Sequence, residues 1–181
     1  MRIDCSELEL DALRELTRDA AARAAAALSE RLGMPIEVAV AAAYALPAAG
    51  ALAATGRAEL PVTGVAIALD GDLAAIALVL LREHDVATLC FLLGLEPDSE
   101  HAASALEEVV EALADAYLLA LAGVTGLSLA AGPPQHVVGT LGEIVGSLPG
   151  ASAGDAALML DAALVIAAQS CAVSLLLVPA R

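Results

Sequence analysis

Helical periodicity dominates the first thirty residues. Leu13, Leu16, Ala20, Ala24 and Ala27 recur at spacings of three and four, on one stripe of a helix, while Asp11, Glu15 and Arg18 (i, i+4, i+7) fall on the opposite side. Ser6-Glu7-Leu8-Glu9 has capping-box spacing, and Gly33 with Pro35 supplies a stop. The pattern predicts a helix from about Glu7 to Leu32. A second long helix is predicted from about Glu100 to Ala122, opened by Pro97-Asp98-Ser99, with Ser104, Glu108 and Glu111 forming its polar row.

Elsewhere the period shortens to two. Ile36 to Val40 alternates as a strand, and the Ala/Gly/Pro-rich segment from Ala41 to Arg57 reads as a weakly specified connection. Val62 to Leu69 and Leu73 to Leu81 are apolar runs joined by Asp70-Gly71-Asp72, a strong hairpin signal. A short helix is expected from Asp85 to Leu93, closed by Gly94. Beyond the second long helix come a strand at Leu127 to Ala130, a break at Pro133-Pro134, and a strand or turn at His136 to Val138. A short helix near Leu141 to Leu148, a turn from Pro149 to Asp155, and a hairpin of Ala156 to Ala167 with Cys171 to Val178 complete the reading. The uncharged stretch from Ala162 to Ala180 approaches the length of a membrane span. Gln169 and Ser170 divide it near the middle, so two buried strands joined by a turn are favoured over a membrane helix.

The two long helices superimpose at an offset of 93 residues. Leu13 falls on Leu106, Leu16 on Val109, Ala20 on Leu113, Leu28 on Leu121 and Gly33 on Gly126. The expected fold class is therefore α+β: one domain, 1–181, built from two repeats (about 6–93 and 99–181), with two long helices packed on a largely antiparallel sheet in pseudo-two-fold arrangement.

Composition narrows the function. Hydrophobic residues make up 60% of the chain, with one Phe, two Tyr and no Trp, so the core is expected to be small and aliphatic. Twenty-three acidic residues against eight basic ones, all Arg, give a formal charge of −15, which repels nucleic acid and anionic membranes as partners. Cys5, Cys90 and Cys171 are widely spaced and read as reduced, the last two as buried small hydrophobes. His84, His101 and His136 lack metal-ligand spacing, no cofactor fingerprint or Ser-His-Asp framing is present, and no cofactor is expected. The opening Met1-Arg2-Ile3-Asp4-Cys5-Ser6-Glu7 is too acidic and too broken to be a secretory signal.

The polar rows carry a further signal. Ser104-x3-Glu108-x2-Glu111 with Pro134 twenty-three positions beyond Glu111, and Asp11-x3-Glu15-x2-Arg18 with Ala41 in the corresponding place, resemble the active-site pattern of the CheC, CheX and FliY phosphatases of chemotaxis. In that pattern Asp or Ser is followed by Glu, then Asn, then Pro, and CheC carries it twice. The neighbouring text is similar too, notably Ala27-Leu28-Ser29-Glu30-Arg31-Leu32-Gly33 and Tyr117-Leu118-Leu119-Ala120-Leu121.

The resemblance implies a CheC-like fold and a cytoplasmic signalling protein that binds a phosphorylated CheY-type response regulator, a CheD-type receptor deamidase, or both. It implies catalytic roles for Ser104, Glu108, Glu111 and Pro134 at one site and for Asp11, Glu15 and Arg18 at a more degenerate one. In the family the Glu contacts the regulator's lysine and the Asn orients a water toward the aspartyl phosphate, positioning being most of what phosphoryl transfer requires. Here Glu111 and Arg18 replace that Asn. A carboxylate repels the phosphoryl group, and a guanidinium offers water no acceptor. Phosphatase activity is therefore expected to be weak or lost. The alternatives are an active phosphatase in which Glu108 and Glu111 share the positioning of water, and a structural piece of a flagellar or archaellar switch.

Overall fold

The apolar stripes fold as their spacing requires. In the computed structural model, which describes residues 7–47, 58–97, 99–148, 156–166 and 168–179, the elements run α1 (Glu7–Leu32), β1 (Ile36–Pro47), β2 (Pro61–Gly71), β3 (Ala75–Arg82), α2 (Glu83–Leu93) and α3 (Glu100–Thr125). They continue β4 (Leu129–Ala131), β5 (Gln135–Thr140), α4 (Leu141–Ser147), β6 (Ala156–Ile166) and β7 (Gln169–Pro179). On α1, Leu16, Ala20, Ala24 and Leu28 are buried, as are Leu106, Val109, Leu113 and Leu121 on α3. Each long helix ends on a glycine in the left-handed region, Gly33 at φ 64° and Gly126 at φ 69°, where a side chain would strain the backbone. Ser99 caps the start of α3 by accepting from the Ala102 amide at 3.1 Å. The capping box expected at Ser6 and the side chain of Leu13 lie outside the described residues.

The seven described strands form one antiparallel sheet, in the order β1-β6-β7-β3-β2, with β4 and β5 both on the outer edge of β2. The order is a palindrome of the two repeats: β7 beside β3 at the centre, β6 and β2 next, then β1 at one edge and β4 with β5 at the other. Register makes the correspondence residue-specific. Moved by 93, Ile36–Val38 lands on Leu129–Ala131 and 42–47 on 135–140. The register irregularity between Val38 and Val40 on β1 recurs, in the second repeat, as the Gly132-Pro133-Pro134 interruption between β4 and β5. Proline has no amide to give a strand partner, so the second copy is broken where the first only bulges. This is the pseudo-two-fold α+β fold that the helix offset implies.

The central strands serve two cores. Ala77, Val79 and Leu81 of β3 pack with the long helices, whereas Leu78 and Leu80 pack with Leu141, Ile144 and Val145 of α4 on the other face. β7 divides likewise, with Val173, Leu175 and Leu177 on the helix side and Leu176 and Val178 behind. A strand buried on both faces has no polar alternation, which is why this stretch approaches a membrane span in hydropathy. Among the described residues no helix is long and apolar enough to cross a membrane.

Several boundaries differ from expectation, three of them instructively. β1 runs on to Pro47, so Ala41 to Pro47 is strand and not connection: alanines with little β propensity are carried along by pairing with β6. β3 begins at Ala75 instead of Leu73, and α3 continues to Thr125. The turn expected from Pro149 to Asp155 lies outside the described residues, apart from its flanks.

Polar side chains make specific contacts at the surface and inside. Thr140 and Glu143 cap α4 reciprocally, and the hydrogen bond from the Thr140 hydroxyl holds the Glu143 carboxyl below its usual range. Cys90 and Cys171 are free and buried, and burial, with the charge of Asp85 adding, pushes the Cys171 thiol up to about 12. Tyr117, which fills the place of Ala24 in the second repeat, is buried with no hydrogen-bond partner for its hydroxyl, and burial raises its pKa. Asp85 is fully buried, accepts from Arg82 Nε at 2.8 Å and from the Ala172 amide at 2.9 Å, and so ties α2 to β7. Asp85→Ala is expected to lower stability by about 2 kcal/mol, the usual scale for hydrogen bonds to a charged group, seen as a fall in the urea midpoint at unchanged slope.

Candidate functional site

Both polar rows point outward. The Glu15 and Arg18 side chains are 72% and 62% exposed, and Asp11 is exposed a turn earlier. On α3, Ser104 and Glu108 are exposed and Glu111 is half-exposed. Their equivalence across the repeat is retained, since α1 and α3 share both ends under the same offset.

The rows differ in charge and in what surrounds them. Along α1 three acids are matched by an Arg on the next turn: Arg14 donates to Asp11 at 2.7 Å, Arg18 to Glu15 at 2.5 Å and Arg23 to Asp19 at 3.4 Å. Such exposed pairs contribute less than about 1 kcal/mol each, so a partner displaces them readily. α3 carries Glu100, Glu107, Glu108, Glu111 and Asp115 with no Arg or Lys at all. Glu108 and Glu111 line a groove of about 630 Å³ between the helices, faced from α1 by Arg23, Ala27 and Glu30. Ser104 and Glu108 also border a hollow of about 370 Å³ with Glu100 and His101.

The structure therefore brings Ser104, Glu108 and Glu111 onto one continuous surface. The first row is not part of it. Glu108 faces the end of α1 that holds Glu30, and Glu15 lies fifteen residues, or about 22 Å, back along that helix. Pro134 is exposed in the break between β4 and β5, and Ala41, its counterpart, is half-buried in unbroken β1.

One residue of the site escaped the sequence reading. His136, two positions after Pro134, is carried by β5 on the edge of β2 opposite Val65, and its Nε2 lies 3.3 Å from Glu111 Oε1. Its side chain is 39% exposed and that of Glu111 43%. Spacing along the chain gives no hint of this contact, because it depends on how β5 registers against β2 below α3.

These features define a class: the CheC-type fold, in which a repeated helix-and-strand unit shares one sheet. Comparison with solved structures bears out that fold. FliY of Thermotoga maritima aligns over 98% of this chain and 93% of its own at TM-score 0.76 and 16% identity. FliM in the FliG–FliM complex of H. pylori aligns over 97% and 94% at TM-score 0.71 and 10% identity. CheX in the CheX–CheY–BeF3–Mg complex of Borrelia burgdorferi aligns over 95% and 99% at TM-score 0.55 and 18% identity. No family model matches the chain.

Proposed function

We propose that this chain is a chemotaxis signalling protein that docks, through the rows on α1 and α3, onto a CheY-type response regulator in its phosphorylated form, a CheD-type deamidase being a second partner. Hydrolysis of the aspartyl phosphate is weak or lost. The observation that carries the reading is the exposure of Glu15 and Glu108 at equivalent places on two helices related by the internal repeat. The likeness of fold to CheX, solved with CheY, supports it.

The loss of chemistry follows from the residues at the water-positioning place. A carboxylate at Glu111 about 5 Å from a phosphoryl group costs roughly 3 kcal/mol at an effective dielectric near 20, about two decades in rate. Arg18 attracts the phosphoryl group without offering water an acceptor, which makes the first row a binding surface.

A titration tests this with beryllofluoride-loaded and unloaded regulator. The loaded form is expected to bind more tightly, and the Glu15→Ala/Glu108→Ala double variant to lose at least about tenfold in affinity, the scale for charged contacts at an interface. Absence of binding to the regulator and to the deamidase alike rejects the proposal. A second reading, a structural part of a flagellar switch, is favoured by the higher TM-scores of FliY and FliM. A stable assembly with switch components that ignores regulator phosphorylation would select it.

A further inference from the structure

Phe91, the single phenylalanine of a chain that is 60% hydrophobic, is 76% exposed on α2. The inward side of that helix is conventional: Asp85, Thr88, Leu89 and Cys90 are buried, and Val86 and Leu92 pack against the core. Its outward side holds His84, Ala87 and Phe91, all exposed, and then the exposed Gly94, whose left-handed backbone ends the helix. The spacing of three, four and three is that of a seam along which one helix meets another. Glu83, the acid of this side, stands at its very start, next to Arg82. The seam is complementary to itself. Laid antiparallel on a second α2 about a two-fold at the level of Leu89, Phe91 falls on Ala87 of the partner subunit and His84 on Gly94 of the partner subunit. Large meets small at each place, and nothing lies within 4 Å of a Cβ built at Gly94.

We infer that α2 is a self-association surface, through which two copies of this chain form a two-fold dimer with the Phe91 ring of each seated over Ala87 of the partner subunit. Charge favours a second copy at this place. Chains of formal charge −15 repel one another through their acidic faces, whereas the seam of His84, Ala87, Phe91 and Gly94 carries no Asp, Glu or Arg. An isologous contact also uses each feature twice, so one knob and one hole per chain are enough. The eleven residues of α2 span about 16 Å, too short to bury the roughly 1,200 Å² of a standard interface. The dimer is therefore weak and responds to concentration. It leaves the groove of Glu108 and Glu111, lined from α1 and α3, outside the contact, so one assembly presents that surface twice. The inference does not depend on the docking proposed above.

The experiment is sedimentation equilibrium of the full chain from about 10 μM to about 1 mM, the range of weak association, at about 0.15 M and about 1 M salt. The parent is expected to pass from monomer to dimer across that range, and to dimerise more tightly at the higher salt, which screens the repulsion of two acidic chains. Phe91→Asp is expected to weaken the dimer at least about tenfold, the scale for a buried aromatic anchor. Ala87→Phe is expected to weaken it as well, because it fills the hole that receives the ring. On a face that is merely sticky an added Phe would tighten association, so this variant separates a fitted seam from a greasy patch. Both side chains are exposed, so neither change disturbs the core, and an unchanged urea midpoint checks that. A parent that stays monomeric to about 1 mM overturns the inference. So does a dimer that salt weakens, that Phe91→Asp leaves intact, or that Ala87→Phe tightens.

Discussion

Glu111→Asn is expected to raise the rate at which the protein strips phosphate from a docked CheY-type regulator by about a hundredfold. The substitution removes a negative charge worth roughly 3 kcal/mol of repulsion at about 5 Å, and installs an amide that accepts from one water hydrogen without opposing the phosphoryl group. Because the chemistry needs little beyond a positioned nucleophile, one side chain in place suffices. Glu111 is half-exposed on a helix surface, so the exchange disturbs no packing. Arg18→Asn on α1 is the matching experiment at the first site. Its expected gain is smaller, because there the change also removes an attractive cation and leaves Glu15 without its partner. The measurement is the decay of phosphorylated regulator against its own autodephosphorylation. Decay in the presence of Glu111→Asn that is no faster than the regulator's own would mean that α3 does not present this residue to the phosphoryl group.

Gly64→Ala is expected to destabilise the protein by about 3 kcal/mol, at the upper end for overpacking. A Cβ at Gly64 would lie 1.9 Å from the carbonyl oxygen of Val79 and 2.9 Å from its carbonyl carbon. Both are backbone atoms of the neighbouring strand, so relief requires β2 and β3 to part at the middle of the sheet. β2 also carries β5, which pairs Gly64 with Val137 and Val65 with His136. The same substitution should therefore move His136 away from Glu111. Gly123→Ala provides the contrast. Nothing lies within 4 Å of a Cβ there, and the position is inside α3, so a gain of about 0.5–1 kcal/mol is expected from helix propensity. Urea denaturation of the two variants should move the midpoint in opposite directions, and a neutral Gly64→Ala would refute the close approach of the strands.

The helices were legible because their cause is local. Ser99, Gly33 and Gly126 mark ends, and the three-and-four spacing of Leu16, Ala20, Leu113 and Leu121 marks the buried side, all within a few residues of chain. The strand from Ile36 was read too short, because its alanines from Ala41 onward say little alone and take their conformation from β6, more than a hundred residues away. Cys171 to Val178 was readable as strand only by its length and its polar divider, since burial on both faces removes the alternation.

For the candidate site, the outward placing of Asp11, Glu15, Arg18, Ser104, Glu108 and Glu111 was legible in the chain's own text, because helical phase is a short-range property. That text was also enough to reveal the duplication, which is a relation between residues and needs no coordinates. Which groups meet was decided by the fold. Glu111 joins His136 because β5 pairs with β2 in one register, and Glu108 confronts Glu30 while Glu15 lies elsewhere because the two helices share a single sheet in pseudo-two-fold relation. Contacts of that kind depend on strand order and register, which are set by the burial of whole faces and leave no mark on the spacing of neighbouring residues.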